Sequence, residues 1–181
     1  MNGSTRTPDL RRLDIAVAAR NGFEAEGHWP LAGFERLREG DAASDGDVRW
    51  SVRAYQRSLA GSAPEVRMRL ELTTEVERIC QRCLQPVRLP LAVERDFLFV
   101  ADEDRAAELD ADNDEEDVLE LTRHLDLRRL IEDELLLALP LVPRHQACPQ
   151  PLAIPARASE DEPDTAHPFA ALARLRRPGE G

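Results

Sequence analysis

Lysine is missing altogether from this chain: all 24 basic residues among its 181 are arginine. Arginine presents a planar fork suited to bidentate phosphate contacts, but a GC-rich coding bias explains the same count, so the count alone supports no claim about RNA. Aromatic residues are scarce at 4%, which leaves leucine and valine to pack the core. No apolar run approaches the roughly 20 residues that cross a bilayer, and Met1–Leu10 lacks the apolar segment of an export signal. The expectation is a cytoplasmic protein without a membrane partner. Cysteine is confined to Cys80, Cys83 and Cys148. An odd number without an export signal argues against a disulfide framework and leaves reduced thiols or a metal site.

The net charge of −11 is unevenly distributed. Ala101–Asp117 holds ten carboxylates against the single Arg105. That stretch carries almost all of the excess, so the rest of the chain is close to neutral. It is too charged to bury and has no periodicity, which predicts a disordered loop or a solvated lid.

Alternation supplies the architecture. In Val66–Val76 every second residue is apolar or threonine (Val66, Met68, Leu70, Leu72, Thr74, Val76), with Arg and Glu between them, a period of two that predicts a half-buried strand. Val87, Leu89, Leu91 and Val93 resume the pattern, and Val48, Trp50, Val52 and Ala54 show it earlier. Gly61–Pro64 joins two of these runs as a hairpin link. Leu13, Ile15 and Val17 suggest a first strand, and Leu31, Phe34 and Leu37 a short amphipathic helix closed by Gly40. Asp126 stands where a helix N-cap belongs, Pro140 stops the helix, and Leu127, Leu130, Ile131, Leu135 and Ala138 share its apolar face.

The fold class expected is α+β: an antiparallel β-meander covered by one main helix, with an acidic loop and an extended Pro-rich C-terminal tail. A single domain occupies 1–150. Residues 151–181 form the tail, in which Phe169, Leu172 and Leu175 share one face of a short amphipathic helix.

Two constellations bear on chemistry. Cys80-x2-Cys83 sits at the bend between paired strands, and His145-x2-Cys148 follows 61 residues after the first pair ends. Pairs of two-residue spacing on turns are how structural zinc is gripped in tetrahedral sites, so one reading is a single structural zinc and the other is reduced thiols packed near a bend. A thioredoxin-like redox pair fits less well, because such a pair opens a helix, whereas Leu84-Gln85-Pro86-Val87 leads into another strand. Glu134 lies in the middle of the apolar stripe, where a carboxylate needs a partner. The expectation is partial burial against an arginine from the sheet's edge, with a rim position as the alternative. Glu132 and Asp133 read as a solvated face. His28, His124 and His167 read as surface or packing residues.

No nucleophile elbow, P-loop, dinucleotide fingerprint or zinc-protease helix is present, and the chain is read as non-catalytic, with no small-molecule substrate. Any RNA contact is expected through Arg49, Arg53, Arg57, Arg67 and Arg69 on the outer sheet face or Arg174, Arg176 and Arg177 on the tail.

Cys80-Gln81-Arg82-Cys83-Leu84 after a long strand, Leu125-Asp126-Leu127 through Glu132-Asp133-Glu134-Leu135 to Pro143-Arg144-His145 with Cys148, and Pro168-Phe169-Ala170-Ala171-Leu172 together resemble the YceD family. The resemblance implies a bacterial large ribosomal RNA subunit accumulation protein with a role in synthesis, processing or stability of 23S rRNA. Its partner would be 23S rRNA or its precursor, directly or through a large-subunit ribosomal protein. Many members carry further Cys-x2-Cys pairs near the C-terminus; here His145 and Cys148 hold that region. Two other functions are carried forward: an acidic escort for a basic large-subunit ribosomal protein, and, on less support, a thiol redox enzyme.

Overall fold

The computed structural model describes residues 9–39, 45–58, 61, 63–110 and 116–150. The chain divides into Met1–Cys148 and Pro149–Gly181, and almost all of the second unit, including the tail helix and Arg174, Arg176 and Arg177, lies outside the described residues.

A five-stranded sheet runs in sequence order: β1 (Glu24–Pro30), β2 (Asp47–Arg57), β3 (Glu65–Ile79), β4 (Pro86–Val100) and β5 (Asp117–Glu120). The first four strands form an antiparallel meander, and β5 joins β4 in parallel. The register follows the alternation: Val52 faces Leu70 and Leu72 faces Val93, keeping apolar side chains on one face. Val48, Ala54, Met68, Leu70 and Val76 are completely buried. Gly27 lies opposite Trp50, and a Cβ there would come within 2.8 Å of the indole ring, so only glycine lets the ring lie across the strand.

Among the described residues there are also four α-helices: α1 (Ile15–Arg20), α2 (Glu35–Arg38), α3 (Glu103–Asp110) and α4 (Leu127–Ala138). The dry face of the sheet is covered by α1, packed on β2 and β3, and by α4, packed on β4 and α2. For α4 the cap is as expected: Asp126 Oδ1 accepts from Arg129 N at 3.1 Å, and Leu127, Ile131 and Leu135 are fully buried. The predicted helix after Pro30 is divided into a 3-10 turn, Leu31–Gly33, and α2, but Leu31, Phe34 and Leu37 all enter the core. No helix among the described residues is long and apolar enough to cross a membrane.

Two expectations are overturned by the fold. The strand expected at Leu13–Val17 is helix α1, capped by Asp14, whose Oδ1 accepts from Val17 N at 3.0 Å. Ile15, Ala18 and Ala19 bury at helical spacing, and only Leu13 makes a β-bridge, with Leu125. The first true strand is β1. The acidic stretch is also not wholly unstructured, since Glu103–Asp110 forms α3. Asp102 Oδ1 accepts from Arg105 N at 2.8 Å, Glu103 and Asp104 occupy the first turn, where carboxylates favour a helix, and Ala106 is buried. This segment links β4 to the parallel β5, a geometry that demands a crossover of a dozen or so residues.

Candidate metal centre

The turn between β3 and β4 is tight and internally bonded. Cys80 N donates to Gln85 O and Leu84 N donates to Cys80 O, both at 2.9 Å, and Leu84 takes a left-handed φ of 59° to close the loop. Both cysteines of the turn therefore point the same way, into a small apolar cluster with Val87, and are at most 3% exposed.

The segment after α4 is tied to this turn by backbone and side chain. Gln81 N donates to Pro143 O at 2.8 Å, and Arg82 Nη2 donates to His145 O at 3.0 Å. Arg82 Nε also contacts Cys148 Sγ at 2.9 Å. Those anchors bring the second pair onto the first: Cys80 Sγ lies 3.8 Å from Cys148 Sγ, and Cys83 Sγ lies 3.4 Å from His145 Nδ1. The ligand atoms of Cys80, Cys83, His145 and Cys148 all lie within 4.8 Å of one another, and the thiols form no disulfide.

These separations fit a tetrahedral zinc ion. Metal bonds of about 2.3 Å to sulfur and 2.0–2.1 Å to nitrogen imply edges of about 3.8 Å between two sulfurs and about 3.6 Å between sulfur and nitrogen. Three sulfurs and one imidazole nitrogen complete four-coordination from the protein alone, the donor set of a structural site rather than a catalytic one, which keeps a position open.

The electrostatics act in opposite directions on the two thiols of the turn. Burial alone would raise the Cys80 thiol, but hydrogen bonding from the backbone at His145, Arg82 and Cys83 outweighs it and holds the thiol down at about 5. Burial and the neighbouring thiols push Cys83 up. The sulfur of Cys148 raises Arg82, as expected for a cation lying against a developing negative charge. Because Cys83 runs into β4 rather than a helix, no helix N-terminus contributes to the lowering at Cys80. The Arg82 contact is absent from the sequence reading; its one signal is an arginine inside the Cys-x2-Cys pair.

Glu134 is buried at 6% exposure and accepts from Arg95 Nε at 3.2 Å; the partner is an arginine of the sheet, but it comes from β4, which lies between β3 and β5, and not from an edge strand. Glu132 is not solvated. Its Oε1 accepts from Arg36 N at 2.8 Å and Leu37 N at 3.2 Å, satisfying free amides at the start of α2. Spacing within α4 could not reveal this partnership, which spans 96 residues.

The outer sheet face does not hold its arginines free as the sequence suggested. Arg67 is a buried residue at 8% exposure, clasped by Glu65 and by Glu116 from the end of the acidic segment. Arg69 meets Glu94 and Asp96, and Arg53 meets Glu24 at 2.9 Å. Arg49 and Arg57 form no ion pair among the described residues, and Arg49 shares a shallow groove with Glu26, Asp47 and Glu71.

Comparison with known proteins agrees with this picture. The family described as "Large ribosomal RNA subunit accumulation protein YceD" matches residues 68–176, which include both halves of the Cys3His cluster. A protein of that name from Haemophilus influenzae is 31% identical over 137 residues, covering 75% of each chain. No solved structure matches. With more than half of its length matched, from near the start of β3 through both donor pairs, the chain belongs to the YceD family.

Proposed function

We propose that the protein is a non-catalytic factor of bacterial ribosome biogenesis that sustains 23S rRNA through its synthesis, processing or stability, acting in the cytoplasm. The observation that carries this reading is family membership across residues 68–176, together with a relative named for accumulation of the large ribosomal RNA subunit. The Cys3His cluster supports a structural role, because four protein donors would fill the coordination of a zinc ion and leave no position for substrate. In this proposal Cys80, Cys83, His145 and Cys148 hold one zinc that fastens the β3–β4 turn to the segment after α4.

The test is a clean deletion in the native bacterium, complemented by the wild-type chain. The ratio of 23S to 16S rRNA falls on deletion and recovers on complementation; an unchanged ratio refutes the proposal. A second reading, an escort for a basic ribosomal protein, is favoured by the exposed acidic turn that opens α3. It predicts a ribosomal protein that co-purifies after RNase treatment and dissociates with salt.

A further inference from the structure

Two groups of arginines among the described residues differ in their surroundings. On the outer sheet face the carboxylates of β1 to β4 outnumber the arginines, and Arg53, Arg67, Arg69 and Arg88 are each engaged by at least one of them. A phosphate arriving there would meet more negative than positive charge. The other population lies where the chain before α1 runs beside the segment leading into α4. Leu13 and Leu125 exchange backbone hydrogen bonds at 2.9 Å, and Leu127 N donates to Leu10 O at 2.9 Å. This pairing sets the segments that carry Arg11, Arg12 and Arg123 beside the start of α4, which carries Arg128 and Arg129, as one ridge of adjoining backbone, and none of the five forms an ion pair among the described residues.

The carboxylates on the ridge are occupied otherwise. Asp9 accepts from Arg11 N at 2.9 Å, Asp14 from Val17 N at 3.0 Å and Asp126 from Arg129 N at 3.1 Å. Each is committed to a backbone amide as a turn or helix cap, so the guanidinium groups beside them are left for another anion. Arg128 is fixed in place. Its guanidinium lies over Phe34 at 5.0 Å and Trp29 at 5.7 Å, and it covers Gly33 so closely that a Cβ there would collide with Nη2. Its Nε is buried without a hydrogen-bond partner. Arg11, Arg128 and Arg129 line a groove of about 470 Å³. The negative groups facing it are Glu35, Asp126 and Glu132, of which Glu132 is held by Arg36.

We infer that the ridge of Arg11, Arg12, Arg123, Arg128 and Arg129 is the surface that contacts the phosphate backbone of RNA. The choice of RNA as partner rests on the 23S reading; the place rests on the structure. Planar guanidinium forks engage phosphate bidentately, and an arginine held flat on aromatic rings gives up little side-chain freedom on binding. Arg11, Arg12, Arg123 and Arg129 are exposed, and Arg128 is half-buried.

The experiment uses the full chain and single-stranded RNA of mixed sequence, with polyglutamate as the competing polyanion. The variant Arg12→Glu/Arg123→Glu/Arg129→Glu is compared with Arg49→Glu/Arg53→Glu/Arg88→Glu, which changes the net charge equally on the sheet face. Five phosphate contacts to a single strand give a salt slope of about −3.5, and loss of three reduces it to about −1.4. The ridge variant is expected to lose at least tenfold in affinity at low salt, whereas the sheet variant stays within about threefold. Equal losses in both variants, or equal binding of polyglutamate and RNA by the wild type, overturn the inference. If the reversal unfolds the chain, Arg12→Gln/Arg129→Gln makes the same comparison. A ridge variant that fully restores 23S rRNA in the deletion strain refutes the surface while leaving the biogenesis reading intact; a deletion without any 23S phenotype refutes that reading by itself.

Discussion

Removing metal from the Cys3His cluster should loosen the body of the protein by an amount that the geometry sets. Cys80 and Cys148 are 68 residues apart in sequence, so a metal joining them is a cross-link that closes a long loop. By the chain-entropy relation used for disulfides, a loop of that length is worth about 4 kcal/mol at 25 °C. For a body of this size each kcal/mol moves the melting temperature by about 2–4 °C, so a shift of about 10 °C is expected. The hydrogen bonds from Gln81 and Arg82 to Pro143 and His145 survive metal loss, making this the upper part of the range. The assay is calorimetric melting before and after dialysis against a chelator, with zinc measured by elemental analysis. Wild type should carry about one zinc per chain. Cys83→Ser should melt near the chelated wild type and respond no further to chelator. The same melting temperature with and without chelator, or protein that is purified folded and metal-free, would refute the reasoning. Because the ligands would be thiolates and a neutral imidazole, loading should also weaken as pH falls.

Arg95→Ala should destabilise the chain more than Glu134→Ala, by about 1–2 kcal/mol in urea unfolding, since the first strands a buried carboxylate while the second leaves an arginine whose side chain is 48% exposed and can turn to water; equal costs would count against this. Burial raises the carboxyl of Glu134 above its ordinary 4.5 despite Arg95, so its favourable contribution is fully present below pH 4.5 and declines as pH rises through the folded value. Glu134→Gln should flatten that decline, as read from urea midpoints across pH 4 to 7. Asp126→Ala removes the cap of α4 and should cost about 1 kcal/mol, which thermal melting would detect. Glu103→Gln/Asp104→Asn/Glu108→Gln should leave melting nearly unchanged and strengthen nonspecific RNA binding; a weaker complex would show that the acidic segment itself holds RNA.

Much of the sheet was legible because alternation is a local signal read at full strength in β2, β3 and β4. Their burial patterns follow the period of two over long stretches. Helix α1 was misread because Leu13-Asp14-Ile15-Ala16-Val17 alternates over five residues, too few to separate a strand from a helix whose buried positions, Ile15, Ala18 and Ala19, extend past the window. Strand β1 escaped notice because two of its three inward positions, Ala25 and Gly27, carry little or no side chain, and it is fixed by its pairing with β2 rather than by its own composition. The two-residue spacings of Cys80-x2-Cys83 and His145-x2-Cys148 announced the donor cluster. The free and neutralised arginines could not be told apart in sequence, since the partners of Arg36 and Arg67 come from segments 96 and 49 residues away.

The acidic segment illustrates why composition alone misassigns a role. Read as sequence, Ala101–Asp117 is a surplus of negative charge. In the fold its C-terminal end is already committed: Glu116 clasps Arg67, and Asp117 lies 3.8 Å from Arg95, beside Glu134. Arg67 faces the outer side of the sheet and Arg95 the side covered by α4, so the segment neutralises arginines on both faces as it brings β5 into register with β4. A deletion through Asp117 would therefore shorten the crossover that a parallel strand requires, detach β5 and expose two arginines together. Stronger RNA binding by such a deletion would report uncovered Arg67 and Arg95 rather than relief from a repelling loop. Neutralising Glu103, Asp104 and Glu108 avoids the ambiguity, because those side chains make no contact with either arginine and the crossover keeps its length. Only a variant of that kind separates the charge of the segment from its place in the sheet.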